Sequence, residues 1–249
     1  WWCERGRRGN SFSLSTRLVT MIVLYIVIAL LVFIFIITIS IAIVNKSNYG
    51  PGITNHESDA KLYGDIGEKI VGQRLETVVN TYGGYLYNDF CFEDEYGFSS
   101  QIDHILITLG GVFIIETKNM VGTVYGDKDA EQWKCIKYQN GNIYEKIIGN
   151  PIIQNQGHIN HLRDMFASIP PKMISMVIFI HTDISYIDSN QVYNLPDAIR
   201  YIEEMTINSK RSREYVERIN DQIRDIQSKY SISIERHIEN IKNRYRQEL

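Results

Sequence analysis

The chain has 249 residues, of which 44% are hydrophobic and 22% are charged, and its formal net charge is -3. It is too apolar for a disordered protein and long enough for one or two domains. Its three cysteines show no C-x-x-C spacing, which excludes a zinc ribbon, a haem attachment site and a disulfide scaffold. We predict five segments: an N-terminal flank (1–17), a transmembrane helix (18–44), a linker (45–59), an α/β domain (60–199) and a charged helical region (200–249).

The transmembrane prediction rests on residues 18–44, which contain no charged side chain over 27 positions. As a helix the segment would be about 40 Å long, against a hydrocarbon core of ~30 Å. The apolar region of a cleavable signal peptide is shorter, ~7–15 residues, so the length favours a retained anchor. We therefore expect a single-pass membrane protein whose membrane contact runs from Leu18 to Val44.

Positively charged residues around this segment leave two orientations open. Four arginines at positions 5, 7, 8 and 17 precede it, and Lys46 and Lys61 follow it. Counted together, these charges place the soluble domain outside the cytoplasm. A chain starting at Met21 would lack the arginines, and the two lysines would then favour a cytoplasmic domain.

The α/β domain begins with a predicted helix from Leu62 to Tyr82, in which Val71, Leu75 and Val78 form an apolar stripe. Glu68 lies on the same stripe, so its carboxylate is expected to point toward the core, where it is costly unless something requires negative charge. The alternative is a solvent-facing glutamate near the start of the helix.

A strand is expected from Tyr85 to Phe92, followed by a β-hairpin within Gln101–Asn119. Gly110-Gly111 is a typical two-residue hairpin turn. That turn predicts four cross-strand pairs: Leu109 with Val112, Ile107 with Ile114, Ile105 with Glu116, and Asp103 with Lys118. All eight of these side chains lie on one face of the sheet. The opposite face carries Leu106, Phe113 and Ile115. We therefore predict a central hairpin that is covered on both faces and has three charged groups at one end.

Two carboxylates and an ammonium group at the end of buried strands suit a divalent metal and a positioned water. Asp103 and Glu116 would provide hard oxygen ligands for Mg2+ or Mn2+, and Lys118 would orient the water or stabilise phosphate charge. The alternative is a salt bridge from Lys118 to either acid. An exposed pair adds little stability and a buried pair costs much, so stability alone explains the cluster poorly.

Further along, strands are expected at 122–125, 132–138, 143–148, 173–181 and 191–195, with an Asn140-Gly141 turn in the second hairpin. Trp133 is interpreted as a packing anchor. Asn150-Pro151 is typical of a helix start, and that helix should run to about Ser168. It carries Gln154, and also His158 and His161 at a spacing that suits metal ligands, although no third ligand is near in the sequence.

The ordered set of motifs resembles a NERD (nuclease-related) domain, a group similar to the PD-(D/E)XK restriction-endonuclease-like nucleases. The resemblance covers about Tyr63 to Phe166. The matching residues are Gly64-x-x-Gly67-Glu68, Gln101-Ile-Asp103-His, Gly111-Val-Phe-x-x-Glu116-Thr-Lys118-Asn119, Trp133 and Asn150-Pro-x-x-Gln154. Ile102 stands where the family signature has a proline before the aspartate.

The resemblance implies an αβββαβ core with a central mixed sheet flanked by helices. It also implies that Glu68, Asp103 and Glu116 hold Mg2+ or Mn2+, that Lys118 is the catalytic lysine, and that Gln154 contacts the substrate. The expected function is metal-dependent hydrolysis of nucleic acid, with DNA favoured. The alternative is a non-catalytic, membrane-tethered module for nucleic-acid binding or assembly, because residues 45–199 carry 11 basic and 19 acidic side chains.

Residues 200–249 carry 11 basic and 9 acidic side chains, and apolar residues recur there at spacings of three and four. This pattern predicts a charged amphipathic helix, which the segment Ser231-Ile-Ser-Ile could interrupt. Packing within the chain and self-association as a short coiled coil are equally compatible with it.

Overall fold

The computed structural model describes residues 56–247. The predicted N-terminal flank, the transmembrane segment 18–44 and residues 45–55 of the linker lie outside the described residues. Within 56–247, no helix combines the length and the apolar character needed to cross a bilayer.

The described elements begin with one long helix and a run of five strands. They are α1 (His56–Tyr82), β1 (Tyr85–Glu93), β2 (Ser99–Thr108), β3 (Gly111–Tyr125), β4 (Gln132–Gln139) and β5 (Asn142–Gly149). The remainder is mostly helical: α2 (Pro151–Asp164), β6 (Met173–Tyr186), β7 (Val192–Asn194), α3 (Leu195–Ile207), α4 (Arg213–Tyr230) and α5 (Ile234–Gln247).

The strands form one mixed sheet, which agrees with the predicted α/β fold class. Strands β1 to β5 pair in chain order and antiparallel, whereas β6 runs parallel to β3 and β7 runs parallel to β6. The element order is αβββ, then the β4–β5 hairpin, then αβ. The hairpin is therefore an insertion between the third strand and the second helix of the expected order.

Helices cover both faces of the sheet because the central strands are apolar on both sides. On one face, Ile105, Ile107, Val112 and Ile114 pack with residues of α2 and α4. On the other face, Leu106, Phe113 and Ile115 pack with residues of α1 and α3. The predicted division of the hairpin into these two faces is confirmed.

The predicted register of that hairpin is wrong by two residues. Thr108 pairs with Gly111 and Ile107 pairs with Val112, so Leu109 and Gly110 form the turn. Thr108 Oγ1 accepts a hydrogen bond from the Gly110 amide at 3.0 Å. A side chain at Gly110 would meet Thr206 of α3 at 2.8 Å, so this glycine is needed for close packing. A shift of two residues keeps every side chain on its predicted face.

Several other boundaries differ from prediction. Helix α2 ends at Asp164 instead of Ser168, and β6 continues past His181 to Tyr186. Trp133 is buried, donates from Nε1 to the Asp127 carbonyl at 2.8 Å and stacks on Phe179, as expected of a packing anchor. Residues 200–247 contain the end of α3 and the two helices α4 and α5, which are separated by residues 231–233. The apolar face of α4 packs on the sheet. Packing within the chain therefore accounts for that face, while self-association stays a prediction.

One buried side chain ties helix α2 to the sheet. Asn155 is 1% exposed and donates from Nδ2 to the Ile114 carbonyl at 2.9 Å and to Ser175 Oγ at 3.0 Å. It therefore links α2 to β3 and β6 at the level of the hairpin.

We expect Asn155→Ala to lower the free energy of unfolding by about 1–3 kcal/mol, because it leaves buried acceptors without a donor. Urea unfolding followed by circular dichroism measures this. Gln156→Ala is the matched control, because the Gln156 side chain is exposed and its hydrogen bond runs to a residue of the same helix. Equal stability of the two variants would contradict the anchoring role.

Candidate active site where strands β2 and β3 separate

The candidate site lies where β3 changes its neighbours. Pairing between β2 and β3 extends from Thr108 with Gly111 to His104 with Ile115, and β3 meets β4 only from Thr123 onward. Between these points β3 keeps β6 on one side, and its other edge is open. Glu116, Thr117 and Lys118 lie in this open stretch.

Asp103 occupies the gap that the separation creates. Its side chain accepts a hydrogen bond from the Thr117 amide, with Oδ2 2.7 Å from the nitrogen. A carboxylate thus takes the place of the carbonyl acceptor that a paired strand would supply. Asp103 is 9% exposed and Glu116 is 2% exposed, so both acids are buried. In the observed register Asp103 is level with Glu116, and not with Lys118 as predicted.

Lys118 is held beside these acids by two contacts. Its Nζ lies 2.5 Å from Glu116 Oε1 and donates to Gln154 Oε1 at 3.0 Å. Gln154 lies in the first turn of α2, and Asn150 fixes the start of that helix. The side-chain oxygen of Asn150 accepts from the Ile152 amide at 2.9 Å, and Asn150 Nδ2 donates to loop carbonyls. The structure therefore brings Asp103, Glu116, Lys118 and Gln154 together.

Glu68 reaches the site from helix α1 on the other side of the gap. Asn119 donates from Nδ2 to the Tyr63 carbonyl at 2.8 Å, which joins α1 to β3. Gly67 makes that approach feasible, because a Cβ there would lie 2.5 Å from Asn119 Cβ. The motif residues Gly67 and Asn119 thus position Glu68, which is half-buried as the apolar stripe predicted.

Burial, and then the repulsion of neighbouring acids, raises the pKa values of Glu68 and Asp103. Burial raises the pKa of Glu68 to about 7, and the negative charges of Asp89, Asp65 and Glu116 add to the effect. The pKa of Asp103 is held well above its usual range by burial and then by Glu116 and Glu68, while the Thr117 amide and Lys118 act in the opposite direction. Glu68, Asp103 and Glu116 therefore lie within electrostatic range of one another.

The same acids do not form a closed metal cage in this structure. Among residues 56–247, no group of three or more His, Cys, Asp or Glu side chains is gathered closely enough to hold a metal ion. The contacts explain this arrangement, because one oxygen of Glu116 is engaged by Lys118 and one oxygen of Asp103 is engaged by the backbone.

Two further side chains lie at the site: His158, named above as a possible metal ligand, and Asp89, which was not predicted. His158 Nε2 lies 3.8 Å from Glu116 Oε2, and burial lowers the pKa of His158. Its position one turn after Gln154 on the same helix face is the sequence signal that could have identified it. Asp89 of β1 lines the same cavity as Glu68, and strand periodicity gives no signal for it. His161 contacts Ser100 and Asp94 instead of Glu116, so the two histidines do not act as a pair.

Comparisons with known proteins agree with this part of the chain. Residues 63–180 match the family model described as a nuclease-related domain, NERD. An uncharacterized protein of Bacillus anthracis is 34% identical over 119 residues, which is 48% of this chain and 53% of that protein. The chain thus spans about half the length of this curated relative. No solved structure matches this chain.

The two glycines of the first motif give opposite predictions. Gly→Ala in a helix normally stabilises by about 0.5–1 kcal/mol. We expect that gain for Gly64→Ala, because a Cβ there meets nothing within 4 Å. Gly67→Ala should instead destabilise by about 1–3 kcal/mol, since it overpacks Asn119. Thermal unfolding of both variants tests this, and a gain in stability for Gly67→Ala would contradict the close approach of α1 to β3.

The raised pKa of Glu68 predicts a pH dependence with a defined sign. A carboxyl with a pKa near 7 in the folded state, against an ordinary 4.5, stabilises the fold below about pH 4.5. That contribution is lost as the pH rises through about 7. The stability of Glu68→Gln relative to the parent should therefore increase between pH 4.5 and 8.

Urea unfolding with a chelator present, at several pH values in that range, measures this difference. Glu76→Gln, which removes an exposed carboxylate from the same helix, is the matched control. A constant difference between Glu68→Gln and the parent across the range would show that Glu68 is not perturbed by its surroundings.

Proposed function

We propose that this protein is a nuclease-like hydrolase that cleaves phosphodiester bonds of nucleic acid with the help of Mg2+ or Mn2+. The observation that carries the proposal is the meeting of Asp103, Glu116 and Lys118 at the open edge of β3, with Glu68 in electrostatic range. The similarity of residues 63–180 to a nuclease-related domain supports it. The fold we infer is the restriction-endonuclease-like αβββαβ core.

The donor set fits a hard divalent cation. Glu68, Asp103 and Glu116 offer carboxylate oxygens, and burial and mutual repulsion raise the pKa values of Glu68 and Asp103. A cation of charge +2 would relieve that repulsion, and oxygen ligands are those that Mg2+ and Mn2+ prefer. When bound, such an ion polarises a phosphate oxygen and favours ionisation of water.

The chain's own residues supply the remaining functions. The Lys118 side chain is 25% exposed, and its ammonium group is fixed by Glu116 and Gln154, so it presents a preorganised positive charge to a phosphate. Gln154 positions Lys118, and its amide Nε2 is available to a substrate oxygen. The Thr117 amide fixes one oxygen of Asp103 and thereby orients the other.

A second candidate function is binding without cleavage, as a membrane-tethered nucleic-acid-binding or assembly module. The observation that favours it is the balance of 11 basic against 19 acidic residues in 45–199, since tight duplex binding needs a basic surface. In either case we propose that residues 18–44 anchor the protein as a single span. Self-association through the C-terminal helices is a further proposal.

We expect the full chain to cleave at least one of single-stranded DNA, duplex DNA or RNA when Mg2+ or Mn2+ is added, and to be inactive with EDTA. Glu116→Gln and Lys118→Met should each lower the rate by about 100-fold or more, because each removes a group at the reacting phosphate. Gel-resolved cleavage of labelled substrates measures these rates.

Lys128→Met is the matched control, because Lys128 is an exposed lysine that pairs with the exposed Asp129. It should cleave like the parent, and circular dichroism should show that all variants fold. If the parent cleaves none of the substrates with either metal, the binding module is the better account. Equal cleavage by parent and Glu116→Gln would place the activity elsewhere.

A further inference from the structure

Asp89 has a backbone conformation that separates it from the rest of strand β1. Its φ is 50°, in the left-handed region that residues other than glycine seldom adopt. The flanking residues pair regularly with β2, Asn88 with His104 and Phe90 with Ile102. Asp89 lies opposite Asp103, but these two residues do not form a ladder pair. An unusual φ within a strand is a reason to ask what the side chain does.

The left-handed turn gives Asp89 a different environment from a regular strand residue. Successive side chains of a strand normally point to opposite faces of the sheet. Here Asn88 and Asp89 both line one cavity, together with Glu68 and His104. Asp89 is therefore turned toward helix α1, into the space beside Glu68.

The wall of that cavity carries four carboxylates and two lysines: Glu68, Asp89, Asp65, Glu76, Lys61 and Lys69. These side chains therefore carry a formal excess of two negative charges. Gln101 Nε2 reaches Asp89 Oδ1 at 3.4 Å but adds no positive charge. A divalent cation beside Glu68 and Asp89 would offset this excess.

His104 is an independent sign of a ligand in the same cavity. It is 2% exposed, and its Nδ1 lies 2.8 Å from Asn88 Oδ1. An amide oxygen only accepts, so Nδ1 carries the hydrogen and Nε2 has a free lone pair. Within residues 56–247 this buried Nε2 has no hydrogen-bond partner. A buried acceptor of this kind calls for a donor that the protein does not supply.

We propose that Glu68 and Asp89 hold a second divalent cation, on the α1 side of the gap, and that His104 Nε2 accepts a hydrogen bond from a water of its hydration shell. Ions such as Mg2+ and Mn2+ are commonly held by one or two carboxylates and keep several waters, so two protein ligands suffice. The inference rests on the proposed function, because Glu68 serves both this ion and the one at Asp103 and Glu116. It adds Asp89 and His104 to the site.

The test is a Mn2+ titration of the full chain, with free Mn2+ followed by electron paramagnetic resonance. The parent should bind two Mn2+ ions. Asp89→Asn should bind one, or bind the second at least about 10-fold more weakly, because asparagine tolerates the left-handed φ but lacks the charge. Glu116→Gln should weaken the other ion.

Glu76→Gln is the matched control, because it removes one carboxylate from the wall of the same cavity. It should retain both ions. If Asp89→Asn also retains both, or weakens binding no more than Glu76→Gln, the second site is disproved. A single ion that survives Asp89→Asn and is lost in Glu116→Gln would disprove this inference and leave the proposed function intact, whereas a parent that binds no Mn2+ would overturn both.

Discussion

The burial of several negative charges at one point of the sheet is the constraint on which this structure depends. Asp103 and Glu116 are almost fully enclosed, and Glu68 is close enough to affect the pKa of Asp103. Burying an unpaired carboxylate costs several kcal/mol, and like charges increase that cost. Lys118 and the Thr117 amide offset only part of it, since the pKa of Asp103 stays well above its usual range. The cluster therefore supports the proposal of a cationic ligand at this point of the sheet.

The fold creates this point by giving strand β3 two sets of neighbours. Its first third lies between β2 and β6, and its last residues lie between β4 and β6. The exchange leaves the stretch from Glu116 to Gly122 open on one edge. The two apolar clusters hold the hairpin on both faces, so the open stretch cannot close by sliding. A polar gap within a rigid apolar frame is a suitable place for preorganised charge.

Much of this arrangement is predictable from residue patterns. Alternation in the hairpin assigns both faces correctly, and it does so despite a register error of two residues, because a shift of two preserves the faces. The register fails because Gly110-Gly111 is typical of a two-residue turn, whereas Leu109 and Gly110 form the turn and Gly111 is the first residue of β3. Asp89 is missed because the alternation of apolar and polar residues along a strand does not reveal which residue has a positive φ. The contact of His158 with Glu116 depends on how α2 packs, which the helical pattern alone does not specify.

The distribution of charge also bears on what can enter the site. Residues 45–199 are acidic, whereas residues 200–249 carry an excess of two positive charges. Helix α5 brings part of that excess to the start of β2: Arg236 pairs with Glu93, and Arg244 lies over the Phe98 ring with its Nη2 3.4 Å from the Ser99 carbonyl. Ser99 is four residues before Asp103. A nucleic-acid strand at the proposed site would thus meet a few localised cations instead of a broad basic face. Duplex affinity grows with the number of phosphates neutralised, so under the proposed function this distribution would favour a short or single-stranded substrate over a long duplex.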